Sequence, residues 1–315
     1  MEPIDNQSMQ TKLNRAEIRA ALTGPIWSIY TPFLRDGSID YAGLCQQIDF
    51  TIAAGCKTVL LTAGDSHFII LSDQEIAEVT KATIKHTAGR AMVVAAARYY
   101  GTPQSIEFAK FARDAGADVF MVLPPDWGNS STPETLTEHY AAVAEHIPVM
   151  VVTNVFMPRG IEFGLRTLKL CLERVENIVA IKDDICGPFG RKMALLVHDR
   201  WAVFTVLKQN HLDVHPYGCD GYLSLLVGCR PDLSRRYWQA YQAGDFASAR
   251  RIVSDYEMPL LDYLIALPGS WDAGAHGMLE LFGLSQRWRR KPYYSLSDAE
   301  MEQLKTKLMA LKIMT

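Results

Sequence analysis

A lysine that closes an apolar run is the most chemically telling residue of this chain. Ile178-Val179-Ala180-Ile181 leads straight into Lys182, and Asp183 and Asp184 follow. An apolar run ended by charge fits a strand buried on both faces whose carboxyl end meets a cleft. A lysine so placed meets low-dielectric surroundings, which disfavour the ammonium and favour the nucleophilic amine. Such an amine condenses with a carbonyl to form a Schiff base. Taken alone, the same residues also fit a lysine held by Asp183 or Asp184 in a plain ion pair. The elements around the stretch have to decide.

From Gly24 onward the chain repeats a short β-rich run, a loop and a helical pattern. The strand candidates are 26–31, 58–62, 92–96, 119–123, 149–153, 179–182, 203–207 and 222–226. Amphipathic segments lie between them at 41–54, 73–87, 103–115, 133–145, 164–174 and 191–198. Asp40, Ser72, Thr102 and Thr132 stand where a helix cap is expected, and Gly55, Gly89 and Gly116 punctuate helix ends. Eight strands alternating with helices predict an α/β fold, a (β/α)8 TIM barrel over residues 24–230. The competing doubly wound sheet lacks support, because no GxGxxG follows the first strand and no P-loop occurs. Residues 1–23 read as an N-terminal extension with a short helix near 15–22. Residues 231–315 read as a C-terminal helical region, with helices at 233–243, 246–267, 273–282 and 297–314. This tail is too apolar for a solvated appendage, so it is expected to cap the barrel or supply a subunit interface.

The totals narrow the function classes. Hydrophobic residues make up 49% of 315 and charged residues 21%, ordinary proportions for a globular protein. A formal charge of -3 gives no footprint for nucleic acid or an anionic membrane surface. Six cysteines occur singly, with no CxxC pair, and read as reduced, mostly buried thiols. No apolar run approaches the ~20 residues that span a bilayer, and the start lacks the apolar core of a signal peptide. A cytoplasmic protein with no nucleic-acid or membrane partner is expected.

A closed βα barrel forms its active site at the carboxyl ends of its strands. The candidates are therefore Thr31 after strand one, Gly64-Asp65-Ser66-His67 after two, and Arg98-Tyr99-Tyr100 after three. Next come Pro124-Pro125-Asp126-Trp127 after four, Thr153-Asn154 after five, Lys182-Asp183-Asp184 after six, and Lys208-Gln209-Asn210-His211 after seven. The stretch 225–228 follows strand eight. Placed on strand six of eight, Lys182 faces a site, and imine chemistry is the usual reason for a lysine there.

Several stretches are similar to those of a known family. Tyr30-Thr31-Pro32-Phe33 with Asp36-Gly37-Ser38-Ile39-Asp40 resembles its TPF…DGxID opening, and Leu71-Ser72-Asp73-Gln74-Glu75 its LSxxE helix start. Residues 115–124, 178–183 and 218–224 match as well. On these motifs the chain resembles the dihydrodipicolinate synthase / N-acetylneuraminate lyase family from about Gly24 to Met314. The resemblance implies the barrel, a three-helix C-terminal extension, a homo-oligomer (dimer or tetramer), and class I lyase or aldolase chemistry on 2-keto acids through an imine on Lys182.

The departures fall on the keto-acid site. The family's G-[TS]-T-G-E turn, which holds the substrate carboxylate, is here Ala63-Gly64-Asp65-Ser66-His67. Ser66 keeps a hydroxyl, but Asp65 puts a charge beside the anion, unfavourable by ~1–4 kcal/mol depending on screening. The family's Y-N-x-P is Thr153-Asn154-Val155-Phe156, and a threonine hydroxyl is a far weaker acid than a phenol. Arg159 stands one place later than the family's carboxylate-gripping arginine, and Asp126-Trp127 replaces a tyrosine pair. These changes speak against dihydrodipicolinate synthase itself.

The expectation is a class I lyase or aldolase acting on a small-molecule carbonyl substrate, a 2-keto acid or 2-keto-3-deoxy sugar acid derivative, with no cofactor. Lys182 forms the imine, and Asp65, His67 and Thr153 are the acid/base candidates. Ser66, Asn154, Arg159, Tyr99, Lys208 and Trp127 are the substrate-binding candidates. Two other readings stand beside it. One is a catalytically degenerate member that binds a small ligand, with Trp271 among its pocket aromatics. The other is a metal-dependent lyase using Asp65, His67, Asp184 and His211.

Overall fold

The computed structural model describes residues 13–314. Its strands are β1 (Gly24–Ile26), β2 (Thr58–Leu60), β3 (Met92–Ala96), β4 (Val119–Val122), β5 (Val149–Val152), β6 (Ile178–Asp183), β7 (Ala202–Val206) and β8 (Gly221–Leu223). All ladders are parallel and run β1-β8-β7-β6-β5-β4-β3-β2. The remaining gap is bridged just beyond β1, where Ser28 pairs with Leu60 and the Ile29 amide donates to the Leu60 carbonyl at 2.8 Å. The (β/α)8 barrel is thus nearly closed, and an open doubly wound sheet is excluded. Strands covered by helices on the outside and side chains within must be apolar throughout, and all residues of β3 and β6 are buried.

The barrel's helices are α2 (Tyr41–Ala53), α3 (Asp73–Thr87), α4 (Thr102–Ala115), α5 (Pro133–Ala144), α6 (Ile161–Arg174), α7 (Gly187–Val197) and α8 (Lys208–Val214), preceded by α1 (Arg15–Leu22). Ser72 and Thr132 close capping boxes, and Asp40 accepts the Gly43 amide. Thr102, expected as a cap, is instead the first helical residue. Gly101 is the N-cap, and the Thr102 hydroxyl pairs with His139 Nδ1 at 2.9 Å. Helix α8 was not expected, because Lys208-Gln209-Asn210-His211 carries no apolar period. Five strands, β1, β2, β4, β5 and β8, are shorter than expected. β8 stops at Leu223 because Ser224 turns its hydroxyl to the Leu226 amide and starts a tight turn. Beyond Ile26 the first strand keeps a single bridge.

Helix α1 sits under the amino ends of β6 and β7, where Arg15 donates to the Ile178 carbonyl and Arg19 to those of His198 and Trp201. The tail contains α9 (Pro231–Gln242), α10 (Phe246–Ile252), α11 (Met258–Ile265), α12 (Ser270–Leu281) and α13 (Asp298–Ala310). The single helix expected over 246–267 is broken by a π-helical turn at Val253–Glu257. Pro259 accounts for the break, since it has no amide to donate and its ring crowds the preceding turn. The tail packs against the barrel as expected: Ala275 and Leu279 of α12 lie with Trp27, Tyr30 and Val227. A second cluster joins Leu260, Leu264, Met278, Leu304 and Leu308. That packing hangs α11 and the start of α12 over the carboxyl end of the barrel.

Candidate active site

Lys182 is the fifth residue of β6, paired between Val152 of β5 and Phe204 of β7, and is 8% exposed. It reaches a cavity of about 400 Å³ at the carboxyl ends of the strands. Its Nζ forms an ion pair with Asp184. Asp65, after β2, enters the same cavity, accepts a hydrogen bond from the Ser28 hydroxyl, and donates its amide to Thr62 Oγ1 at 2.9 Å. Burial pushes the Asp65 carboxyl above the usual range, and the charges of Asp272 and Asp184 add to this. The Ser28 hydrogen bond and the Lys182 charge oppose it.

The rest of the cavity is largely apolar, with Trp27, Met121, Leu123, Val152 and Val206 as wall and Leu261 and Trp271 from the tail as roof. Asn154 adds a buried side-chain oxygen with no partner, and Tyr99, 46% exposed, stands at the mouth. An amine, two carboxylates and an unsatisfied acceptor in an apolar chamber can hold a small carbonyl compound and move protons around it.

The other candidates turn elsewhere. The Ser66 hydroxyl donates to the Ile29 carbonyl at 2.6 Å and accepts the Thr62 amide at 3.0 Å, which fixes the turn and leaves nothing for a ligand. His67, held at φ 56°, points its Nε2 to Asp272 at 3.2 Å and stacks between Phe33 and His276. Arg159 binds Asp126 at 2.6 Å and lies over Phe163. Lys208 is fully buried, 2.6 Å from Ser224 Oγ and 3.0 Å from Glu257. Trp127 is 92% exposed outside the cavity. The Thr153 hydroxyl faces the Asp183–Ile185 turn. The structure therefore brings Lys182, Asp65, Asn154 and Tyr99 together and leaves the other six outside.

Asp65, His67, Asp184 and His211 do not converge on a metal position. His211 is buried against Tyr237, 2.8 Å from its hydroxyl, and His67 belongs with Asp272 and His276. That triad is the one such grouping among the described residues. Its two imidazoles stack 4.8 Å apart at 25°, so their in-plane lone pairs run side by side, and Arg289 already pairs with Asp272.

Sequence reasoning missed Ser28, Tyr30, Thr62 and Leu261 as cavity residues, and Trp271 lines the cavity as the degenerate-member reading expects. The Asp183-Asp184 doublet did signal the ion pair, and the structure selects Asp184. Nothing local marks Leu261 or Trp271, which arrive by folding of the tail.

Known proteins share this architecture. The sequence profile of the dihydrodipicolinate synthetase family matches residues 21–311. The 4-hydroxy-tetrahydrodipicolinate synthase of Psychrobacter arcticus is 32% identical over 241 residues, 75% of this chain and 78% of that protein. The crystal structure of dihydrodipicolinate synthase from Bacillus clausii superposes with a TM-score of 0.81 at 24% identity, covering 94% of this chain and 99% of the other. That of N-acetylneuraminate lyase from Fusobacterium nucleatum gives 0.81 at 16% identity, covering 92% and 99%. With a match over nearly its whole length and the barrel to go with it, this chain belongs to the dihydrodipicolinate synthetase family.

Proposed function

We propose that the protein is a class I lyase or aldolase that forms an imine between Lys182 and a small carbonyl compound. The observation that carries this is the position of Lys182: an amine on a buried strand end, the sole cationic side chain of the cavity among the described residues, with two carboxylates beside it. The ammonium gives a proton to Asp65 or Asp184, and the freed amine attacks the carbonyl carbon. The carbinolamine oxygen then leaves as water. Of the three ammonium protons, two depart with that oxygen and one stays on the iminium nitrogen. The iminium draws electrons from the bond next to its carbon, which makes carbon–carbon or carbon–oxygen cleavage accessible. Asp184 and Asp65 stabilise the cation, and the apolar walls strengthen that interaction by excluding water. The degenerate-member reading rests on the missing tyrosine at position 153 and on the altered carboxylate turn at 63–67. Asp65 supplies a titratable group in the cavity without it. The reading includes a cytoplasmic homo-oligomer, dimer or tetramer, with a small-molecule substrate as its partner.

Borohydride reduction in the presence of candidate carbonyl compounds, followed by peptide mass mapping, tests the imine. An adduct on Lys182 that disappears in Lys182→Ala is expected. If simple aldehydes, ketones and 2-keto acids all leave Lys182 unmodified, the imine is lost.

A further inference from the structure

The charge inventory of the cavity narrows the substrate. Among the described residues, Lys182 is its one cation, and Asp65 and Asp184 are its two carboxylates. Nearby cations are spent outside it: Arg159 on Asp126, Arg98 on Asp73, Arg289 on Asp272, and Lys208 on Glu257. The hydroxyl donors are largely committed as well. Ser28 donates to Asp65, Ser66 to the Ile29 carbonyl, and Ser224 to Glu257 at 2.7 Å. Thr62, Tyr30 and Tyr99 are left as neutral hydroxyls on the lining.

A carboxylate on the carbon bearing the imine would lie two bonds from Lys182 Nζ. It would then meet the Asp184 oxygen that already pairs with that nitrogen, and the Asp65 carboxylate across the cavity. Like charges at such range repel strongly in an apolar chamber. In a keto-acid imine the substrate's own carboxylate balances the iminium charge. Here Asp184 occupies that electrostatic role, so a second anion is superfluous and repelled. The walls argue in the same direction, since Trp27, Met121, Leu123, Val152, Leu261 and Trp271 favour a flat or branched apolar body. The buried, unpartnered Asn154 Oδ1 calls for one hydroxyl or N–H donor on that body.

Resting on the imine reading above, we infer that the substrate is a neutral aldehyde or ketone with an aromatic or branched apolar body, carrying a hydrogen-bond donor and no carboxylate at the carbonyl.

Phenylpyruvate and its methyl ester, matched in shape and differing in charge, provide the test. Each is reduced onto the whole protein with cyanoborohydride, and the Lys182 labelling rate is divided by that of a free lysine derivative under the same conditions. The ester is expected to label at least about tenfold faster after this correction, and Asp65→Asn is expected to shrink the ratio. Equal or faster labelling by the acid overturns the inference while leaving the imine intact. If neither compound labels Lys182, thermal shift still reads the charge preference. A neutral aryl ketone should then raise Tm more than phenylpyruvate, and the reverse order overturns the inference independently.

Discussion

Thr153 gives its hydroxyl to Asp183, across the β5–β6 ladder, and not to the cavity. The Oγ1 lies 3.1 Å from Asp183 Oδ1 and accepts the amides of Asp184 at 2.8 Å and Ile185 at 3.3 Å. Asp183 Oδ1 also receives the Ile185 and Cys186 amides, both at 3.1 Å. The hydroxyl thus fixes the turn that carries Asp184, the partner of Lys182. Thr153→Val keeps the shape but strands these buried groups, at a cost of about 1–3 kcal/mol. Urea denaturation should show that loss, together with slower Lys182 labelling, and Thr153→Ser should restore both. Labelling unchanged in the valine variant would show that the turn does not position Asp184 for the reaction.

Asp65 should control the acid limb of imine formation. Burial raises its carboxyl, so it keeps a proton at pH values where a free aspartate, near 3.9, has lost it. As the carboxylate it can take a proton from Lys182; below its raised pKa it cannot. The labelling rate should therefore fall with acidification, with a midpoint above the usual aspartate value. Asp65→Asn should remove that limb and slow labelling by about 10²–10⁴-fold, the typical share of a general acid–base group. An Asn variant with the wild-type rate and profile would move the proton-transfer role to Asp184.

The barrel was legible because its strands are continuous apolar runs and its helix caps are local. β3 and α3 fall on the expected residues, and the other elements differ mostly at their ends. Lys182 was legible for the same reason, since a strand end in a barrel has one destination. The roles of Ser66, His67, Arg159 and Lys208 were not. Their types suit ligand binding equally well, and what decides is which distant partner each meets. Asp126 takes Arg159, Asp272 takes His67, and Glu257 takes Lys208, at separations of 33, 205 and 49 residues. No local pattern encodes those pairings.

Lys208 and Glu257 should act as a staple between barrel and tail. The lysine is fully buried, its Nζ 3.0 Å from Glu257 Oε1, and its backbone amide donates to Glu257 Oε2 at 2.8 Å. Glu257 ends the π-helical turn before α11, which carries the cavity residue Leu261. Lys208→Met leaves a buried carboxylate without its cation and should cost about 3–5 kcal/mol in chemical denaturation. Adding Glu257→Gln should recover part of that loss. If the double variant is no more stable than Lys208→Met, the penalty comes from lost packing and not from an unpaired charge.

Two buried histidines should make the fold acid-sensitive in a defined window. Burial lowers the pKa of His139 to about 4 and that of His211 to about 3, against 6.5 for the free group. The charges of His215 and Lys208 lower His211 further. For His139, the unfolded chain binds a proton below pH 6.5 that the folded chain refuses until about pH 4. Its contribution to stability is therefore complete above 6.5 and is lost as pH falls towards 4, at up to about 1.4 kcal/mol per pH unit and about 3 kcal/mol in all. His139→Gln removes the titration while keeping a polar group for the Thr102 hydroxyl. Between pH 6.5 and 4, the unfolding free energy of the variant should fall less steeply than that of the wild type, by roughly one bound proton. Parallel slopes would mean that His139 titrates alike in both states and is not held neutral by burial.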